Sequence, residues 1–168
     1  MIIKEKIGNV KDLNLNDRVV DYLELEWYET TKRILHKTTK SGREMSLKFL
    51  NQNQNLTDGD ILYEDQQILI VIDIKPCQSI IIKPATMYQM AYICYEIGNK
   101  HLPLFYENDE LLVPYEEPIL RTLQASGLNP VMDNRKLLHQ LKTTVSAHTH
   151  TDSKSLFSRI LQLTTPNE

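Results

Sequence analysis

The side chains of this chain best suited to chemistry are imidazoles. There are 5 histidines: His36, His101, His139, His148 and His150. His148 and His150 are one residue apart. On an extended segment such a pair points to one side and can share a metal ion. Imidazole suits nickel, copper and zinc alike, so the spacing alone does not choose among them. Two solvated tail histidines are the other reading of that pair. His101 stands alone, on the exit from an apolar run at Tyr88 to Ile97. One imidazole holds a metal weakly. A two-fold axis would supply the same ring from a second copy and leave open positions from which the ion can depart. From the residues alone, a structural histidine is the other reading of His101. His139, after Leu137-Leu138, reads as structural, and His36, among Lys37, Thr38 and Thr39, as a surface residue.

Other chemistry finds little support. Cys77 and Cys94 are too far apart for a Cys-x-x-Cys motif and read as reduced, mostly buried thiols. The chain has no His-Glu-x-x-His pair, no phosphate-binding glycine loop and no Gly-x-Ser-x-Gly elbow. A binding or carrier role is therefore expected rather than an enzyme. A hydrolase built on the second half is a rival class without a catalytic constellation. A net charge of -3 offers no basic excess for phosphates, so nucleic acid is not an expected partner. No apolar stretch approaches the ~20 residues that span a bilayer, so no membrane partner is expected. The start, Met1 to Lys6, lacks an apolar core and a cleavage site, and a cytoplasmic protein is expected.

The elements that must position these residues fall into two textures. Residues 2–7 read as a first strand. Val20, Tyr22, Leu23, Leu25 and Trp27, with Asp21, Glu24 and Glu26 between, predict a half-buried strand over Val19 to Tyr28. Ser41-Gly42-Arg43 predicts a turn before an alternating strand, Glu44 to Leu50. Thr57-Asp58-Gly59-Asp60 is a strong turn signal. Ile61 to Tyr63 and Ile68 to Ile74 follow, the latter apolar enough to be buried on both faces. No helix is expected before residue 76, so residues 1–75 read as a small all-β domain.

After Lys75-Pro76-Cys77, strands alternate with helices. Gln78 to Ile82 is a strand. Pro84 suits a helix first turn. The next helix carries Met87, Met90, Ala91, Cys94 and Ile97 on one stripe and Tyr88, Tyr92 and Tyr95 on an adjoining face. A helix apolar on two sides should be covered by its own sheet and by another subunit. Gly98 stands where this helix should stop, and Pro103 blocks a return to helix. Leu102 to Tyr106 and Leu111 to Tyr115 read as strands joined at Asn108-Asp109, both tolerant of positive φ. Glu116-Glu117-Pro118 opens a second helix. It buries Ile119, Leu120 and Leu123 and closes at Gly127. Val131 starts a last strand. The order β-α-β-β-α-β is that of a ferredoxin-like domain over residues 76–142. Residues 143–168 read as a flexible, mobile tail, in which Leu156, Phe157, Ile160 and Leu161 suit a short amphipathic docking helix. The class is α+β.

The stretch Glu96-Ile97-Gly98-Asn99-Lys100-His101-Leu102-Pro103 resembles the Gly-Asn-Arg-His-x-Pro signature of the UreE family, the urease accessory nickel chaperones. Lys100 stands where the signature has arginine. It keeps the charge and loses the planar bidentate group. The resemblance implies a β-domain followed by a ferredoxin-like metal-binding domain. It also implies a first domain like the peptide-binding domain of DnaJ-type co-chaperones. It implies a homodimer, possible pairing of two dimers around metal, and nickel held at the interface by His101 of each copy. Histidine-bearing tails in the family assign a helping role to His148 and His150. Zinc or copper are further metals such ligands accept. Implied partners are the urease apoprotein and its accessory proteins, including a GTPase. Some members carry histidines just before the second helix, where this chain reads Val113-Pro114-Tyr115-Glu116-Glu117. Those peripheral ligands are absent here. A metal-free scaffold of the urease assembly complex is the alternative function.

Overall fold

The computed structural model describes residues 1–12, 18–50 and 55–141. It is an α+β protein with three sheets and two helices among those residues. The first half supplies β1 (Ile2–Ile3), β2 (Gly8–Asn9), β3 (Val19–Leu25), β4 (Ile34–Thr38), β5 (Glu44–Lys48), β6 (Asp60–Glu64) and β7 (Ile68–Ile74). One sheet has the order β1-β5-β4 and the other β2-β6-β7-β3. Alternate residues of the strands close one core between them, with Leu23, Leu25, Leu35, Met45, Leu47, Ile70, Ile72 and Ile74 inside. The other face of β7, Leu69 and Val71, meets Ile61 in a second cluster. That is why the Ile68–Ile74 run is apolar at almost every position.

Three expectations change in this half. The first strand is two short ones. Ile3 is buried, but the charged residues after it carry the chain from β1, beside β5, to β2, beside β6. The Val19 strand ends at Leu25, and Trp27–Glu29 forms a 3-10 turn in which the Glu26 N–H donates to Glu29 Oε2 at 3.0 Å. Strand parity also puts Asp21, not Tyr22, inside with Leu23 and Leu25. The Asp21 carboxylate accepts from the Ser41 N–H at 3.1 Å and from the Ser41 hydroxyl, and Arg43 Nε lies 3.2 Å away. Burial opposes its charge, yet these donors hold its pKa below the ordinary value. Strand β4 escaped the reading because only Leu35 in it is buried. His36 on this strand is exposed, as expected, with Nδ1 2.8 Å from Ser46 Oγ.

The second half supplies β8 (Cys77–Ile82), α1 (Met87–Asn99), β9 (Leu104–Glu107), β10 (Glu110–Pro114), α2 (Glu117–Ala125), β11 (Val131–Arg135) and β12 (Gln140–Leu141). The strands form an antiparallel sheet in the order β11-β8-β10-β9-β12. Ile80, Ile82, Leu104, Leu111 and Val113 pack with both helices. The opposite parity, Ile81, Phe105 and Leu112, packs with Leu137 and Trp27. Asn108 and Asp109 take φ of 49° and 63° in the β9–β10 turn, as their types predict. Pro84 falls in the loop before α1 rather than in its first turn, where Thr86 caps by accepting from the Gln89 N–H at 3.1 Å.

The two halves are joined by Trp27 and by the segment after β11. Trp27 meets Phe105 edge-on at 5.5 Å between ring centroids. Leu137 is buried under the five-stranded sheet, while Leu138 packs on the core of the first half. Lys136 Nζ lies 3.0 Å from Asp58 Oδ1 and 2.7 Å from Asp73 Oδ1. Burial would raise the Asp73 pKa, but hydrogen bonds from Lys136 and Lys40 outweigh it and lower it.

The ends of the helices differ instructively. In α2 the Leu128 N–H donates to Leu123 O at 3.2 Å and the Gly127 N–H to Gln124 O at 3.0 Å, with Gly127 at φ 75°. This is a Schellman closure with glycine at the left-handed position. The same closure ends α1 one turn later than expected. The Leu102 N–H donates to Ile97 O at 3.3 Å and the His101 N–H to Gly98 O at 3.0 Å. Gly98 is helical, and the left-handed residue is His101, at φ 54°.

Two outcomes are expected. His101→Gly should stabilise the fold by roughly 1 kcal/mol, because only glycine takes this backbone without a β-carbon clash; a loss of stability in urea unfolding would refute that. Lys136→Met should cost about 1 kcal/mol at pH 7, discounted for the exposure of the pair. A lowered folded-state pKa at Asp73 means stability present above about 3.9, the unfolded value, and lost as pH falls through the folded one. The gap between wild type and variant should therefore narrow in urea titrations as pH falls below the unfolded value and through the lower, folded one.

Candidate metal centre

His101 is exposed and fixed on both sides. Before it, Ile97 is buried in the helix–sheet core; after it, Leu102 packs on that core and Leu104 opens β9. Backbone direction at the ring is thus set by two hydrogen bonds and two apolar anchors. Lys100 Nζ pairs with Glu96 at 3.3 Å, one turn back along α1. An exposed pair of this kind is weak, but it sets a carboxylate against the one cation adjacent to His101 in sequence.

The helix that carries His101 is rotated from the expected stripe. Its inward face is Ile93 and Ile97, with Met90 and Cys94 beside them. Met87 and Ala91 belong to the outward face. There Met87 is 83%, Tyr88 79% and Tyr95 68% exposed. At 100° per residue, Met87, Ala91, Tyr95, Tyr88 and Gly98 share one side of the helix. A β-carbon at Gly98 would meet nothing within 4 Å in this chain. A small-residue and aromatic strip therefore runs uncovered along α1 and ends next to His101.

No group of three or more His, Cys, Asp or Glu side chains is gathered for a metal among the described residues. Both cysteines are half-buried, and burial pushes each thiol pKa up, so neither offers a thiolate. Glu117 accepts from the Tyr115 hydroxyl at 2.5 Å and from Arg121 Nε at 2.8 Å, which leaves it at the start of α2 as a helix charge. His139 is exposed, and its carbonyl accepts from the Tyr106 N–H at 3.0 Å, extending the ladder toward β12. His148, His150 and the Leu156–Leu161 stretch lie outside the described residues.

Sequence reasoning missed one positioning element. Strand β12 pairs antiparallel with β9, Gln140 opposite Phe105 and Leu141 opposite Leu104. Along β9 that direction runs from Phe105 to Leu104, toward the end where His101 lies. Strand β12 thus runs toward the end of β9 that His101 precedes. Two residues are too short a strand to show a period, so the pattern gave no warning.

Comparison with known proteins covers both halves of the chain. Residues 3–75 match the family UreE urease accessory protein, N-terminal domain, and residues 78–155 match its C-terminal domain. The urease accessory protein UreE of Flavobacterium johnsoniae is 47% identical over 163 residues, 97% of this chain and 99% of the relative. That of Acetivibrio thermocellus is 37% identical over 153 residues, 91% of this chain and 99% of its own. The UreE of Helicobacter pylori is 36% identical over 149 residues, 87% and 88% of the two chains. With both halves matched and near-full-length relatives above 30% identity, the chain belongs to the UreE family of urease accessory proteins.

Proposed function

We propose that this chain is a cytoplasmic nickel carrier for urease maturation, working as a homodimer with Ni(II) held between the two copies. The observation that carries the reading is the junction of His101 with the uncovered Met87/Tyr88/Ala91/Tyr95 strip of α1. A second copy laid on that strip would remove its apolar surface from water. It would also bring a second His101 to the axis, because an isologous contact repeats each residue. Gly98 supports this, since a missing side chain lets another backbone come close. Residues 76–142 serve as a ferredoxin-like metal-binding domain. Its element order, β-α-β-β-α-β, with β11-β8-β10-β9 side by side, supports that description. Residues 1–75 would be the docking domain for a protein partner and 143–168 the ligand-bearing tail.

The direction of β12 supports a part for His148 and His150. His148 lies seven positions after Leu141, enough to reach at most ~25 Å, whereas the three steps from Leu104 back to His101 span no more than ~11 Å. The tail can therefore reach the ring. Two imidazoles on an axis, joined by tail imidazoles or water, suit nickel and leave positions open for transfer to the urease assembly complex. The mechanism is ligand exchange. Each ring must be neutral to coordinate, so protons compete with nickel and loading weakens toward acid.

His101→Ala should abolish the tightest nickel site in calorimetric titration while light scattering still finds a dimer; unchanged affinity would remove His101 from the site. Urease activation should fall with it, whereas a metal-free adaptor would lose nothing. Deleting residues 146–168 should weaken nickel binding or slow its transfer and spare the dimer. If that truncated chain bound no nickel at all, the assignment of His101 as principal ligand would be wrong.

A further inference from the structure

We propose that Leu102 is the positioning residue for His101, an inference that rests on the nickel reading above. Two helices of this fold end in the same hydrogen-bond closure, but α2 puts Gly127 at the left-handed position and α1 puts His101 there. A β-carbon disfavours that backbone, so something must hold it. The residue that follows supplies the one bond of the closure that spans the left-handed residue, beside the His101 N–H to Gly98 O at 3.0 Å and the Lys100 N–H to Ile97 O at 3.2 Å that precede it. The Leu102 N–H reaches across the whole turn to Ile97 O at 3.3 Å. Pro103 has no N–H, so the next residue adds no donor to the turn. Leu102 is also half-buried against the cluster that contains Ile97, Leu104 and Ile93. Its side chain locks down the residue whose amide closes the turn. If that anchor were cut back, the amide would no longer be tied to Ile97. His101 would then relax toward right-handed backbone, and the ring would leave the place that two copies must share. An outer residue of this kind sets ligand geometry without touching the ion.

Calorimetric nickel titration of Leu102→Ala in the full-length dimer, well below its melting temperature, tests this. The expected result is affinity lower by about tenfold or more, with Leu102→Met restoring it to within about threefold because volume and flexibility are kept. Leu102→Val, the milder truncation, should fall between and serves if the alanine variant does not fold. In a His101→Ala background, Leu102→Ala should change the residual affinity by less than about twofold, since there is no ring left to aim. Wild-type affinity in both truncated variants overturns the proposal, and so does an equal loss in the His101→Ala background, which would show a general weakening of the fold. A wild-type dimer that takes up no nickel overturns instead the reading on which the proposal rests.

Discussion

An α-helix ends with carbonyls that have no partner within it, and the rest of this structure follows from how α1 satisfies its own. The closing hydrogen bonds to Ile97 and Gly98 require one left-handed residue, and the chain spends a histidine there. That choice takes an imidazole out of the ordinary surface population and gives it a fixed place, where the last turn of a helix meets the first residue of a strand. The buried contacts of Ile97, Leu102 and Leu104 exist on either side of it. A ring on a loose loop would lose conformational freedom each time it met an ion; here most of that freedom is already gone on folding.

Much of this was legible beforehand. The turn residues Asn108, Asp109 and Gly127 announced themselves by type, and the isoleucines of β7 by their unbroken run. The α2 face at Ile119, Leu120 and Leu123 followed from spacing alone. The stop of α1 did not, because glycine is the usual left-handed residue and Gly98 invited that reading. A better signal was present. Ile97 and Leu102 are five apart, as are Leu123 and Leu128, and in both helices the left-handed residue lies one before the second member. The rotation of α1 was misjudged for a related reason. Met87 and Ala91 are apolar enough to look buried, and only the packing of Ile93 shows which arc faces the sheet. Asp21 misled in the opposite sense, since a carboxylate inside a strand face is legible only when its donors, Ser41 and Arg43, are known to stand opposite.

The short segment from Lys136 to Leu138 ties the halves together in three different ways within three residues. Lys136 reaches two carboxylates of the first half, Leu137 turns under the sheet of the second, and Leu138 turns back into the first. Opposite side-chain directions on successive residues make this economical. The same stretch that joins the halves leads directly into β12, the last strand among the described residues.

The pairing of β12 with β9 has a consequence of its own. Gln140 and Leu141 hold the chain to β9, so whatever follows them in sequence is tethered at that strand. A tethered ligand meets a nearby ion at an effective concentration near the millimolar range, whatever its intrinsic strength. On the carrier reading, the tail imidazoles need not bind tightly to be present at nearly every moment. They can let go one at a time, so that a rival ligand on a receiving protein replaces them stepwise and nickel never has to pass through water.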